Sequence, residues 1–145
     1  MSQLKDTIHR LKNLDAERDA LTNIPQRIRI LELEYDGIKA AQTDSNPVSG
    51  GENKQEEVRL NNILKRQNLT RDLERTRQEV EQIEDAMAKL TSAERRVLEL
   101  FFINRPKEYI EILSEELCCE RPTVYRLKDK ALLELTRRLC GQVNL

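Results

Sequence analysis

Aromatic residues, glycine and histidine are scarce in this sequence of 145 residues. Phe, Tyr and Trp together make up 3% of the chain, Trp is missing, and there are four Gly and one His. Charged residues, by contrast, make up 35%. Such a composition is typical of long exposed helices and argues against a large globular core. We therefore expect one small domain, or a small domain with a helical extension.

Long apolar runs are missing as well. No stretch approaches the roughly 20 apolar residues that a membrane-spanning helix needs. The N-terminal sequence MSQLKDTIHR also lacks the apolar segment of a secretory signal. We expect a soluble protein of the cytoplasm that has no membrane partner.

The few residues that bind metals or act as nucleophiles do not form a known pattern. Cys118 and Cys119 are adjacent, which disfavours an ordinary disulfide between them, and with Cys140 they indicate a reducing compartment. His9 is far from all three in sequence, so no zinc site is predicted, and we expect the cysteines to be buried or half-buried. Phosphate-binding glycine loops and nucleophile motifs are missing too, so we predict neither a cofactor nor an enzyme.

Hydrophobic periodicity divides the chain into four segments. The first is helical, with a break or a kink before Pro25, because proline cannot donate to the helix ladder and restricts the residue before it. The second is a predicted flexible linker with one proline and two glycines. The third is a long coiled-coil helix, and the fourth is a helix-turn-helix domain. The segments are residues 1–41, 42–53, 54–89 and 90–145.

The third segment has a seam of apolar residues at alternating spacings of three and four. This spacing predicts a helix that packs lengthwise on another helix. The helix either folds back on the first segment or pairs with a second copy of the chain. We favour a folded-back pair that also forms homo-oligomers. The seam consists of Leu69, Leu73, Thr76, Val80, Ile83, Met87 and Leu90.

The fourth segment begins with a helix that carries its own start and stop signals. It is expected to start at Thr91 or Ser92, where Glu94 completes a capping box. It is expected to end at the Asn104-Arg105-Pro106 sequence, since proline cannot continue a helix. Its charged residues, Glu94 among them, are expected to be exposed.

Two further short helices follow. The second is predicted from about Glu108 to Cys118, and the third from about Arg121 to Leu139 with Pro122 in its first turn. The predicted fold is therefore all-α, with an N-terminal helical and coiled-coil part that leads into a three-helix helix-turn-helix domain.

Positive charge is concentrated in the last of these helices. Residues 121–145 hold six Lys or Arg against two acids, a net of +4, so residues 1–120 carry −5 of the whole-chain −1. A basic C-terminal helix also has a purely structural explanation, because cations stabilise the negative end of the helix dipole. Combined with the three-helix pattern and the short loops, however, the charge favours binding to double-stranded DNA.

The face of this helix that lies opposite its apolar stripe is the predicted recognition surface. Thr123 and Arg126 are predicted to contact base edges in the major groove. Arg121, Lys128 and Lys130 are predicted to bind phosphates.

Other residues of the same helix have two open interpretations. Tyr125 contacts the sugar-phosphate backbone or packs against the preceding helix. Arg137 and Arg138 bind phosphates or cap the last turn. Leu133 is expected to be exposed, as an ordinary surface leucine or as a contact for a partner.

Residues 90–135 resemble the helix-turn-helix of sigma factor region 4, and more closely the RinA/ArpU-like family of phage late-transcription regulators. The matching stretches are LTSAERRVLELFF, the helix from Tyr109 to Leu117, and ERPTVYRLKDKALLEL. The chain has Cys118 where the family usually has Gly, and Glu120 where it usually has Ser. The first difference predicts a slightly different turn. The resemblance implies an activator of phage late genes in the bacterial cytoplasm, with RNA polymerase as a possible partner.

The function predicted from these patterns is sequence-specific DNA binding by a transcription regulator. A small phage terminase subunit is a second DNA-binding possibility, because it also joins a helix-turn-helix to oligomerising helices. A coiled-coil scaffold or anti-repressor that binds protein and no DNA is the third.

Overall fold

The computed structural model describes residues 2–44 and 51–141, and the side chains of residues 41–44 and 51–53 lie outside that description. The described residues form helices and no strands, which confirms the predicted all-α fold. The elements are α1 (Gln3–Asp44), α2 (Gly51–Ala88), α3 (Ser92–Leu98), a π-helical turn (Glu99–Ile103), α4 (Tyr109–Leu117) and α5 (Arg121–Cys140).

The first predicted segment is one continuous helix. α1 runs through Pro25, so of the two alternatives the single helix is correct. Proline in a helix interior removes one backbone donor, which leaves the carbonyl of Leu21 without its usual partner. The neighbouring Ile24 is buried, and tertiary packing at this point overrides the local signal.

The helices also extend further than predicted on both sides of the linker. α1 continues to Asp44 and α2 begins at Gly51, so the ends of the predicted linker are helical. Residues 45–50 of that linker lie outside the described residues. α2 ends at Ala88, within one residue of the prediction, and at about 1.5 Å per residue it is about 57 Å long.

The described chain divides into two compact units, which cut across the four predicted segments. Residues 1–17 and 79–145 form what we call the packed unit, and residues 18–78 form the two-helix unit. The predicted helix-turn-helix domain is thus one part of a larger unit that also contains the start of α1 and the end of α2.

The two-helix unit pairs the remaining parts of α1 and α2, as expected for helices joined by a short connection. Asn62 is buried in this pair, donates to the backbone carbonyl of Leu31 at 2.8 Å and accepts from Arg66 at 2.9 Å. The Arg66 guanidinium lies 4.9 Å from the ring centre of Tyr35. Polar contacts therefore contribute to this seam together with the buried Leu69.

The packed unit has fully buried side chains on α1, α2, α3, α4 and α5. A pair of buried hydroxyls links the two ends of the chain: Thr136 Oγ1 lies 2.8 Å from Thr7 Oγ1 and 2.8 Å from the Leu132 carbonyl. Each hydroxyl has a partner, which removes the penalty for burying a polar group. The largest fully buried apolar residues are Leu11, Leu14, Ile83, Leu98, Leu113 and Leu135.

α3 starts with the predicted capping box. The backbone N–H of Glu94 donates to Thr91 Oγ1 at 3.2 Å, and the backbone N–H of Thr91 donates to the Glu94 carboxylate at 3.1 Å. The prediction that Glu94 is exposed was wrong: this reciprocal bonding folds its side chain back, and it is buried.

The helical stretch that begins with α3 ends at Ile103, directly before the predicted stop at Asn104, but its last five residues are not α-helical. The stretch from Glu99 to Ile103 is a π-helical turn, closed by a hydrogen bond of 2.8 Å from the Asn104 N–H to the Glu99 carbonyl. Phe101 in this turn is buried in the core shared with α4 and α5. The other buried members of that core are Val97, Leu100, Ile110, Leu113 and Val124.

Candidate nucleic-acid interface

α4 and α5 are joined by a turn whose first residue is strained. Cys118 has the left-handed backbone (φ 52°, ψ 46°) that glycine adopts most easily. The N–H of Cys118 donates to the Glu115 carbonyl at 3.4 Å, and that of Cys119 to the Ser114 carbonyl at 3.1 Å. This is the Schellman arrangement that usually carries glycine, so the expectation of a different turn was wrong.

The cysteines are less buried than predicted. Cys118 and Cys140 are exposed, because one lies in this turn and the other at the end of α5, while Cys119 is half-buried.

α5 begins directly after the turn. Glu120 is extended (φ −77°, ψ 159°) and its side chain makes no capping hydrogen bond. Pro122 fits the first turn, where its missing N–H would have no helical partner. Val124, Ala131 and Leu135 on one side of α5 are buried, as predicted, which turns the opposite side outward.

That outer side carries three of the predicted site residues in one row. Thr123, Arg126 and Lys130 are all exposed and stand three and four residues apart, the spacing of one helix face. Within the described part of the chain, neither Arg126 nor Lys130 has an ion-pair partner. This row is therefore free to meet a ligand.

Two residues predicted to bind phosphate already have carboxylate partners. Arg121 Nη2 lies 2.7 Å from Glu111 Oε1 on α4. Lys128 Nζ lies 2.6 Å from Asp129 Oδ1 and 5.8 Å from the ring centre of Phe101, and the Lys128 side chain is 23% exposed. Arg121 and Lys128 are therefore paired, unlike Arg126 and Lys130 of the exposed row.

Tyr125 has ring packing in the structure, but against the π-helical turn rather than the helix that directly precedes α5, and its contact with the sugar-phosphate backbone stays a prediction. Its ring packs edge-on against Phe101, with centroids 5.7 Å apart, and it is still 44% exposed. The packing fixes the ring and leaves part of it accessible.

The far end of α5 carries paired charges. Arg137 and Arg138 each lie 3.3 Å from a carboxylate oxygen of Glu134. Leu133 is half-buried rather than exposed. The free cations of the helix are therefore in its first half.

Sequence reasoning missed two cations in the loop before α4. Arg105 and Lys107 are exposed. The Arg105 guanidinium stacks 4.0 Å above the ring centre of Tyr109 and donates to its hydroxyl. Tyr109 in turn packs edge-on against Phe101 at 5.0 Å. The sequence was interpreted there as a helix stop only, although two cations on either side of a proline were a visible signal.

Carboxylates surround the start of α5 on the side of α4. Glu111, Glu115 and Glu120 line a cleft between these helices together with Arg121. Negative charge at this end of α5 repels other anions.

One further acid of α4 is paired with α3. Arg96 holds Glu116 through two hydrogen bonds of 2.8 and 2.9 Å. The hydrogen bonds from Arg96 lower the pKa of Glu116 below its usual value. This two-pronged contact ties α3 to α4.

No family model, curated protein or solved structure matches this chain. Among the described residues, no helix is both long and apolar enough to cross a membrane.

Proposed function

We propose that this chain binds double-stranded DNA in a sequence-specific manner through α5 and acts as a transcription regulator. The observation that carries the proposal is the exposed row of Thr123, Arg126 and Lys130, which has no ion-pair partner among the described residues. A helix that packs one side in a core and turns donors outward is suited to the major groove.

Each residue of the row has a chemical role in this proposal. The forked guanidinium of Arg126 can donate two hydrogen bonds to a guanine edge, and the Thr123 hydroxyl and methyl group suit base edges. Lys130, one turn further along, neutralises a phosphate. Arg105 and Lys107 add phosphate contacts from the loop, and they replace Lys128, which is largely buried.

We further propose that the two-helix unit joins copies of the chain. Five large apolar side chains of this unit are about half exposed, and covering such surface gains roughly 25 cal/mol per Å². Two copies would double the base contacts and fix the spacing of two half-sites. The exposed residues are Ile30, Leu33, Val58, Leu60 and Leu64.

The experiment first selects duplexes from a random pool with the purified protein. Affinities for a selected and a mixed-sequence duplex are then compared by anisotropy. Arg126→Ala should weaken binding to the selected duplex over the mixed one by about 1 to 3 kcal/mol. Lys130→Ala should weaken both alike and lower the slope of log affinity against log salt by about 0.9.

Lys65→Ala serves as the control, because Lys65 is an exposed cation of the two-helix unit. It should leave the ratio of the two affinities unchanged. The proposed recognition face is wrong if Arg126→Ala also leaves that ratio unchanged.

A protein-binding scaffold without DNA binding is the second candidate, favoured by the same exposed apolar residues. A wild-type protein with no salt-dependent affinity for any duplex would support it and remove DNA binding. Activation of phage late genes in the bacterial cytoplasm and contact with RNA polymerase are proposals that rest on the family resemblance alone. A selected site upstream of a late promoter would support them, whereas a site in a packaging region would favour the terminase subunit.

A further inference from the structure

The ion pair between Arg121 and Glu111 lies where the proposed reading helix begins. It joins the first residue of α5 to α4 at 2.7 Å, and the two side chains are 65% and 51% exposed. An exposed pair of this kind contributes little to stability, because water and salt screen it. Arg121 can therefore exchange partners readily.

A DNA phosphate would compete for the same guanidinium. Carboxylate and phosphate both accept the paired N–H donors of arginine. We propose that Glu111 is an internal competitor of DNA phosphate for Arg121, and that it thereby weakens sequence-independent binding. This inference rests on the proposed function and names a residue that sets its specificity.

Arg126 and Lys130 have no ion-pair partner among the described residues, whereas Arg121 is paired with Glu111. On an arbitrary duplex, Arg126 and Lys130 meet phosphates without giving up a partner, whereas Arg121 must first leave Glu111. Only a duplex that lets α5 dock closely brings a phosphate near enough to displace the carboxylate. Arg121 then adds its contact on favoured sequences and stays with Glu111 on others.

The first test uses a 20-base-pair duplex of mixed sequence and the full chain. Glu111→Gln removes the competing charge but keeps the size of the side chain. It should steepen the log-log salt slope by about 0.9, which corresponds to about eightfold tighter binding at 0.1 M salt. Binding to a duplex selected with the wild-type protein should tighten less, so the ratio of the two affinities should fall.

Glu115→Gln is the matched control. Glu115 lies on the same helix and lines the same cleft, and it has no ion pair among the described residues. Its substitution should leave the salt slope unchanged and alter affinity by less than about twofold. An equal gain from both variants would mean that general repulsion, rather than competition for Arg121, limits binding, and would overturn the inference.

The second test adds Arg121→Gln to Glu111→Gln. The double variant should return to the wild-type salt slope, because the freed guanidinium is the proposed source of the gain. A gain that persists without Arg121, or a Glu111→Gln protein that binds no more tightly than wild type, would overturn the inference. Helix content by circular dichroism verifies folding, and Glu111→Ala replaces Glu111→Gln if the latter fails to fold.

The same measurements distinguish a failure of DNA binding from a failure of the role of Glu111. A wild-type protein that shows no salt-dependent binding refutes DNA binding itself and the inference with it. If wild-type binding depends on salt but Glu111→Gln changes neither the affinity nor the salt slope, only the role of Glu111 is refuted.

Discussion

The packed unit buries some of its leucines completely, for example Leu98, Leu113 and Leu135, whereas the two-helix unit leaves Leu33, Leu60 and Leu64 about half exposed. Both units contain parts of α1 and α2. The packed unit, however, surrounds its apolar faces with segments from six elements, and the two-helix unit has only two. A pair of helices cannot cover every apolar side chain that it carries.

Under the proposed function, this difference would give the two regions separate tasks. The packed unit holds α5 in a fixed orientation, which is what base reading requires. The two-helix unit has apolar surface left over, which is what assembly requires. Similar substitutions in the two units test whether this division of tasks is real.

The largest effect should come from truncating a buried leucine in the packed unit. Leu135→Ala leaves a cavity under α5 and should lower the free energy of unfolding by about 2 to 5 kcal/mol, measured by urea denaturation. Leu64→Ala, in the two-helix unit, should change it by less than about 0.5 kcal/mol at low protein concentration. At low protein concentration, a loss at Leu64 as large as that at Leu135 would break the comparison, because it would mean that Leu64 is as well buried as Leu135 within a single chain.

The burial of positions such as Leu135 could be predicted from hydrophobic periodicity alone. The inward side of α5 and the capping box at Thr91 follow from the spacing of residues close in sequence. Ion pairs do not, since Arg121 meets Glu111 across a turn and no local pattern chooses between that partner and a free state. The same limit explains the uninterrupted helix through Pro25, where packing outweighs one lost hydrogen bond.

The candidate site was predicted in part for the same reason. The free row of Thr123, Arg126 and Lys130 follows from helical angles, and the structure places it outward. Lys128 was expected to reach phosphate, but its ammonium group lies 5.8 Å from the ring centre of Phe101 and 2.6 Å from Asp129 Oδ1. The π-helical turn that contains Phe101 has no sequence signature, so this contact could not be predicted from the sequence.

An intermediate effect is expected at the buried amide of the two-helix unit. Asn62→Leu should stabilise the helix pair by about 1 to 2 kcal/mol, because an apolar side chain gains more from burial than this amide does. Leu31 loses a donor, but its carbonyl lies within α1 and can accept from the helix backbone. Amide hydrogen exchange in residues 24–35 and 62–69 should slow by about 5- to 30-fold.

Asn61→Leu is the control for that substitution, since Asn61 is the exposed neighbour of Asn62. It should change exchange by less than about twofold. Equal slowing by both variants would show that helix propensity, rather than the polar seam, limits the two-helix unit. A decrease in stability with Asn62→Leu would show that the amide is needed to hold the pair in register.

The smallest effect concerns an acid of the packed unit. Partial burial raises the pKa of Glu17 above its usual value, and the negative charge of Glu79 and a hydrogen bond with Glu79 act in the same direction, while Arg10 and His9 oppose them. A raised pKa means that the folded state binds the proton more tightly than the unfolded state. The stability from this group is thus present below the ordinary pKa near 4.5 and is lost as pH rises through the raised value.

Glu17→Gln removes this titration and should therefore stabilise the protein more at pH 7 than at pH 4, by no more than about 0.5 kcal/mol. Urea denaturation at both pH values measures the difference, with Glu81→Gln as an exposed control on α2. If Glu17→Gln were equally stable relative to wild type at both pH values, the two glutamates would be too well solvated to repel each other. The packed unit would then resemble the two-helix unit at this edge, and its close packing would be confined to the apolar core beneath α5.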